Sequence, residues 1–346
     1  MNRLLYIFFL IALVSITSFR HHQSISSPLK VFSISGFAQG TSYHIRYSGE
    51  YPLLNKADID SLLNKLDSSL SLYKSYSLIN QFNHSRSGII ADDHFSNVVN
   101  KAVEISEKTN GSFDITIKPL LSLWGFYNNK RSRIPTLGEI NKIKMHVGYQ
   151  KLKWEGARLM KDDPLIQLEC DGIAQGYSVD QIASYMNHLG IHNYQIELGG
   201  EVFVKGKMPQ DVFWKTGLDI LHANANPREH QLLLENEAVT TSGSFSKFSK
   251  IGNSYFGHIL DPEEGRPVDN GIISVSVIAQ DAITADAYDN AFMVMGVMKS
   301  MRYVQDKTKT GLYIIYRTRN GVIKDTANPY FKTKISPFAE ASPHSR

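Results

Sequence analysis

Cysteine is nearly absent: Cys170 is the only one in 346 residues. An intramolecular disulfide is therefore impossible, and so is a zinc or iron–sulfur site built from several cysteines of one chain. Dense basic character is missing too. Lys and Arg number 37 against 33 Asp and Glu, a formal net charge of +4, and they gather into no stripe. That excludes the electrostatic footprint of a nucleic-acid-binding surface, and no nucleic-acid partner is expected. No apolar run reaches the roughly 20 residues of a membrane-spanning helix. The patterns G-x-G-x-x-G, G-x-x-x-x-G-K-[ST] and H-E-x-x-H do not occur, so any bound nucleotide must have its phosphates held by another device. What remains is ordinary globular composition, 42% hydrophobic and 20% charged, enough for one large core or two smaller ones.

The amino end stands apart. Asn2-Arg3 is a basic start, residues 4–14 are uninterrupted apolar, and Ser15, Ile16, Thr17 and Ser18 follow. This is the pattern of a secretory signal, with an uncleaved amino-terminal anchor as the alternative. Residues 1–22 are assigned to that segment, and lipid attachment there is excluded because no cysteine lies nearby. The body is expected outside the cytoplasm, periplasmic or attached to the outer face of the inner membrane. Residues 23–28 read as a linker, 28–336 as one catalytic unit, and 337–346 as a disordered tail.

Periodicity fills in the body. Residues 31–37 and 41–47 are β-rich around Gln39-Gly40, a hairpin signal. Ile59, Leu62, Leu63, Leu66 and Leu70 recur at helical spacing, as do Phe95, Val98, Val99, Ala102, Val103 and Ile105 before the stop at Asn110-Gly111. Thr136 and Glu139 form a capping box, and Val179, Ile182, Ala183, Met186 and Leu189 mark a helix ended by Gly190. Strands are expected at 194–198, 202–205, 214–220, 231–234, 238–241, 255–260 and 272–279. Helices follow at 284–295 and 299–305, then a hairpin of 311–317 and 321–325. Helices first and strands later indicate an α+β fold.

Four constellations carry chemistry. Asp286, Asp289 and Asn290 share one face of a largely buried helix, a set of oxygens suited to a hard cation. Taken alone, they fit better as acidic residues stabilised by the dipole in a first helical turn. Residues 169–180 run from an apolar strand through small residues into a helix, whose first amides can hold phosphate oxygens. The same pattern fits a plain strand-to-helix turn. Thr240, Thr241, Ser242 and Ser244 cluster hydroxyls after one strand, and His258 and Asp261 end the next. Gly111, Ser112, Phe113 and Asp114, followed by Trp124-Gly125-Phe126, read as a tight turn with an aromatic patch.

In order, these segments resemble the ApbE family, the FAD:protein FMN transferases. Gly40, Thr41 and Tyr43 match its G-T-x-Y, and Tyr73, Ser77, Ile79, Phe82 and Asn83 match its Y-x-x-x-S segment. The pattern G-x-F-D-x-T-x-x-P-L is met in full from Gly111 to Leu120. D-L-G-G-I-A-K-G-Y-x-x-D is met at Gly172, Ile173, Ala174, Gly176, Tyr177 and Asp180, with Glu169 in place of the first Asp and Gln175 in place of the Lys. T-S-G and H-I-[IL]-D-P-x-x-G-x-P fall on Thr241 to Pro267, and A-D-A-x-x-[TN]-A on Ala285 to Ala291, with Asn290 where Thr is usual.

The resemblance implies two interlocked α/β subdomains with mainly antiparallel sheets, related to the T-fold. It implies transfer of FMN from FAD, with Mg²⁺, to a Thr or Ser hydroxyl of an acceptor protein in a membrane redox complex, releasing AMP. It assigns the metal to Asp286, Asp289, Asn290 and a backbone carbonyl near Gly172. Flavin contacts fall on Gln39, Tyr73, Ser112, Phe113, Asp114, Glu169, Gln175 and Ile259. His258 is the expected general base and Asp261 its competitor. An FAD pyrophosphatase, with water in place of the hydroxyl, and a non-catalytic periplasmic FAD-binding protein are the alternatives.

Overall fold

Alternate side chains of the strand Gly311–Arg317 enter two different cores. Leu312 and Ile314 join the helices on one face, while Tyr313 and Ile315 join Trp214, Leu232 and Phe331 on the other. This two-residue alternation makes the strand part of a central layer covered on both sides. The computed structural model describes residues 29–127, 132–217, 230–244, 248–252 and 254–337. The signal or anchor expected at 1–22 and residues 338–346 lie outside them.

The central layer is an eight-stranded sheet: β1 (Lys30–Ala38), β2 (Thr41–Gly49), β3 (Tyr194–Leu198), β4 (Glu201–Lys205), β5 (Glu237–Gly243), β6 (Ile272–Ala279), β7 (Gly311–Arg317) and β8 (Ile323–Ala327). Spatial order follows chain order, and every neighbouring pair is antiparallel. Gln39 and Gly40 both have positive φ, 52° and 78°, the geometry of a two-residue hairpin between β1 and β2. Gly199 and Gly200 make the same kind of connection, so Glu201 opens β4 directly opposite Leu198.

Helices interrupt the meander at two places. Between β2 and β3 come α1 (Lys56–Leu70), α2 (Leu78–His84), α3 (Asp93–Lys108), α4 (Lys118–Leu123), α5 (Leu137–Lys144) and α6 (Asp171–His188). Between β6 and β7 come α7 (Ala282–Met295) and α8 (Val297–Tyr303), and α9 (Pro329–Lys334) follows β8. Asn55, Asp92 and Asp281 cap α1, α3 and α7, and Thr136 with Glu139 forms the capping box of α5. The buried stripes Ile59, Leu63, Leu66 and Phe95, Val98, Ala102 face one large core shared with the sheet. A third, smaller core gathers Leu120, Trp124, Ile140 and Leu260. The result is α+β with mainly antiparallel sheets.

Some expectations change. The strand foreseen at 255–260 breaks at His258. Ser254–Gly257 pairs with Phe248–Ile251, whereas Leu260–Asp261 pairs with Arg266–Pro267, so two partners divide one apolar run. The strand foreseen at 214–220 is Lys215–Gly217, with 218–220 outside the described residues. Pro337, placed in the tail, closes the strand Ile335–Pro337. The helix expected after the small residues of 169–180 instead begins at Asp171 and contains them. The reason is tertiary. A Cβ on Gly176 would lie 2.3 Å from the Ala282 carbonyl oxygen and 2.8 Å from Asp286 Cβ, so only glycine lets α6 approach α7 this closely.

Candidate active site

A cavity of about 830 Å³ opens at the end of the sheet where β2 starts and β5 stops. Thr41, Gly199, Glu201 and Thr241 to Gly243 come from the sheet, Asp171, Gly172 and Gln175 from the start of α6, and Asp286 and Asn290 from α7. The segments 112–127 and 258–262 close much of the rest. These two walls are tied together: Trp124 Nε1 donates to the Gly265 carbonyl at 2.8 Å, and its ring packs 5.1 Å from that of Phe256.

One end of the cavity is acidic. Gly172 departs from helical torsions, with φ −85° and ψ 20°, and the carbonyl and amide around this kink meet α7. Gly176 N–H donates to Asp286 Oδ2 at 2.9 Å. The Asn290 amide donates to the Gly172 carbonyl (3.4 Å), the Asp286 carbonyl (3.1 Å) and Asp289 Oδ1 (3.0 Å). Ser242 Oγ also donates to Asp289 Oδ1 at 2.9 Å. The four expected metal residues, spread over 118 positions, thus meet at one place. Burial raises the carboxyl pKa of both Asp286 and Asp289, and the charge of Asp286 raises that of Asp289 further. Glu201 joins them: burial and the two aspartates push its pKa well up, and its Oε2 is buried with no hydrogen-bond partner. Burial and mutual repulsion work against ionising all three carboxyls at once. Among the described residues no three His, Cys, Asp or Glu side chains converge tightly enough to hold a metal alone. A magnesium ion, which keeps waters or substrate phosphates among its ligands, fits such a partial oxygen set.

The other end is aromatic. Tyr73 stands at the rim, 75% exposed, while Phe113, Phe126 and Tyr127 line the wall. Tyr127 sits at φ 60°, donates its hydroxyl to Glu169 Oε1 at 3.1 Å, and has its pKa raised by burial and by that carboxylate. Glu169 Oε1 also accepts the Asp171 amide at 2.9 Å, which connects this wall to the start of α6. Asp114 lines the cavity, but its oxygens accept from Thr116 N, Thr116 Oγ1 and Tyr149 N, so it also fixes the loop.

Of the residues expected from sequence, Tyr73, Ser112, Phe113, Asp114, Glu169, Gly172, Gln175, His258, Ile259, Asp286 and Asn290 line the cavity. Asp289 does not line it, but its Oδ1 accepts from Asn290 and Ser242, which do. Gln39 does not line it; its Nε2 donates to Ser178 Oγ at 3.0 Å, turning the side chain towards α6. Asp261 does not line it either. Its Oδ1 accepts the amides of Glu263 (2.8 Å) and Glu264 (3.0 Å), the work of a turn-forming aspartate. Of the pair, only His258 lines the main cavity, and it also borders a second cavity of about 250 Å³. Glu201, Lys118 and Tyr127 were missed. For Glu201 a signal existed: the Gly199-Gly200 hairpin fixes the register that carries it to the same sheet end as Thr41.

The chain also matches known proteins. The model of the ApbE family matches residues 39–314. An FAD:protein FMN transferase of Vibrio cholerae serotype O1 is 30% identical over 333 residues, spanning 94% of this chain and 98% of its own. That of Haemophilus influenzae is 28% identical over 317 residues, spanning 88% and 91%. Among solved structures, the flavin transferase ApbE from Vibrio cholerae superposes with a TM-score of 0.79 at 30% identity, covering 89% of this chain and 100% of its own. The apo flavinyl transferase ApbE of Pseudomonas stutzeri gives 0.77 at 27% identity, covering 88% and 97%. With a family match across most of its length and the family's segments converging on one cavity, the chain belongs to the ApbE family.

Proposed function

We propose that this protein transfers FMN from FAD to a Thr or Ser hydroxyl of an acceptor protein, releasing AMP. The observation that carries the reading is the union, in one cavity, of an aromatic wall, a cluster of buried oxygens and His258. A flat ring suits the first, a diphosphate with its counter-cation the second, and a proton acceptor beside the reacting phosphorus the third. An acid-lined cavity repels a diphosphate by itself. Asp286, Asp289, Asn290 and the Gly172 carbonyl would hold Mg²⁺, with Glu201 as a further carboxylate nearby. Bound there, Mg²⁺ supplies charge neutralisation of the diphosphate.

The chain's own residues do the rest. Tyr73, Phe113 and Tyr127 orient the ring, and His258 faces the same cavity. The acceptor oxygen bonds to the phosphorus on the riboflavin side as the bond to the AMP phosphate breaks. His258 takes the hydroxyl proton, and AMP departs with the bridging oxygen. Such transfers depend mainly on positioning and charge. The acceptor we infer belongs to a membrane redox complex, and residues 1–22 would direct the enzyme across the inner membrane. A reporter fused to residues 1–30 should be exported; its retention in the cytoplasm would refute that placement.

The reaction is tested by incubating the full-length chain with FAD, Mg²⁺ and a hydroxyl-bearing acceptor domain, then weighing the acceptor by mass spectrometry. A gain of one FMN, lost when the acceptor Thr is changed to Val, is expected. An acceptor of unchanged mass while FAD disappears would favour the pyrophosphatase reading.

A further inference from the structure

Lys118 carries no role in the motif reading, yet it is the only lysine or arginine among the described residues that line the main cavity. Asp114, Glu169, Asp171, Glu201 and Asp286 line it as well. Lys118 stands on the aromatic side rather than beside the aspartates of α7. Its Nζ lies 5.3 Å from the centre of the Tyr127 ring and 3.3 Å from Gln167 Oε1. An ammonium has three donors, and Gln167 accepts from one. Half-burial lowers its pKa, and the charge of Glu169 opposes that shift. A cation kept in such a place is costly unless a polar ligand group meets it.

We propose that Lys118 determines specificity for the flavin ring by donating a hydrogen bond to one of its carbonyl oxygens, with the Tyr127 face and Glu169 holding the ammonium in position. The proposal rests on the flavin reading above. The isoalloxazine ring combines an aromatic face with two carbonyl oxygens on its imide edge. A wall that combines Phe126 and Tyr127 with one fixed ammonium complements both features. The diphosphate is left to the oxygen cluster at the other end. The wall thus selects a carbonyl-bearing ring, and the family's lysine position, occupied here by Gln175, need not supply the cation.

Flavin fluorescence titration of the full-length chain tests this, using riboflavin, FAD, and AMP as a competitor. Lys118→Ala should weaken riboflavin and FAD by the same factor, about tenfold or more, as loss of a hydrogen bond to a charged group does, and leave AMP unaffected. Lys118→Arg should recover most of the loss. Wild type should also bind riboflavin more tightly than its 2-thio or 4-thio analogue, and Lys118→Ala should lose that preference. The thio comparison on wild type stands even if the alanine variant fails to fold, which circular dichroism would reveal. Weakening of FAD and AMP with riboflavin unchanged would assign Lys118 to a phosphate and overturn the proposal. Weakening of AMP alone would assign it to adenine, and no weakening would leave it structural; either overturns the proposal too. Failure of wild type to bind any flavin would sink the flavin reading together with this one, whereas tight flavin binding by Lys118→Ala sinks only this one.

Discussion

His258 and Asp261 are three residues apart and do different work. Asp261 gathers the amides of the turn that follows it, whereas His258 faces the cavity. His258→Ala should therefore keep FAD affinity and lose transfer by ~10²–10⁴-fold, the usual worth of a general base. Asp261→Asn should lower the melting temperature and leave the transfer rate of the folded enzyme near wild type. Steady-state kinetics beside thermal melts separate the two; an Asp261→Asn enzyme that melts normally and is inactive would reverse the assignment. At this scale sequence order was informative where a motif fixes several residues together, as for Asp286, Asp289, Asn290 and Gly172. It was silent on Lys118, which opens α4, and Tyr127, which follows it; the two come together beside Glu169 only in the folded chain. It gave no sign that Gln39 would stay off the cavity lining and donate to Ser178 Oγ instead.

At the scale of elements, the site depends on how closely α6 and α7 pack. Gly176 permits that contact and donates its amide to Asp286. Gly176→Ala should cost about 1–3 kcal/mol, the range for overpacking a filled interface, and should reduce turnover by displacing Asp286. Gly138→Ala, where an added Cβ meets nothing within 4 Å, should leave both unchanged or raise stability slightly. Equal effects in urea unfolding would contradict the packing account. Asp180 secures the same pair from below, accepting the amides of Ala282 and Ile283 at 2.8 and 2.9 Å. Burial raises its carboxyl pKa to about 7. Between an unfolded carboxylate pKa of about 4 and that value, the native state keeps a proton that the unfolded state has lost. The stability Asp180 contributes is therefore fully present below about pH 4 and is lost as pH rises to about 7. Asp180→Asn should flatten that part of the unfolding free energy profile; an unchanged slope would remove Asp180 as its source. The small residues of α6 explain why its start was misplaced from sequence. Two glycines within five residues, Gly172 and Gly176, read as a loop, and the close approach of α7 to Gly176 is what keeps the turn helical.

For the whole molecule, the strand periods and helix caps gave the α+β class, and the spatial order of the sheet turns out to equal the chain order. That order was not legible, because antiparallel pairing across insertions of helices leaves no local trace. Its consequence is functional: hairpin turns made at 39–40 and 199–200 come to one sheet end with the close of β5, and the cavity forms there. The central claim is that this cavity passes FMN to a protein hydroxyl instead of to water. The most direct measurement follows FAD turnover with Mg²⁺ and increasing acceptor, quantifying AMP, free FMN and acceptor-bound FMN in the same samples. The account predicts that AMP equals acceptor-bound FMN and that free FMN stays minor. AMP released in step with free FMN, at a rate indifferent to acceptor, would contradict it.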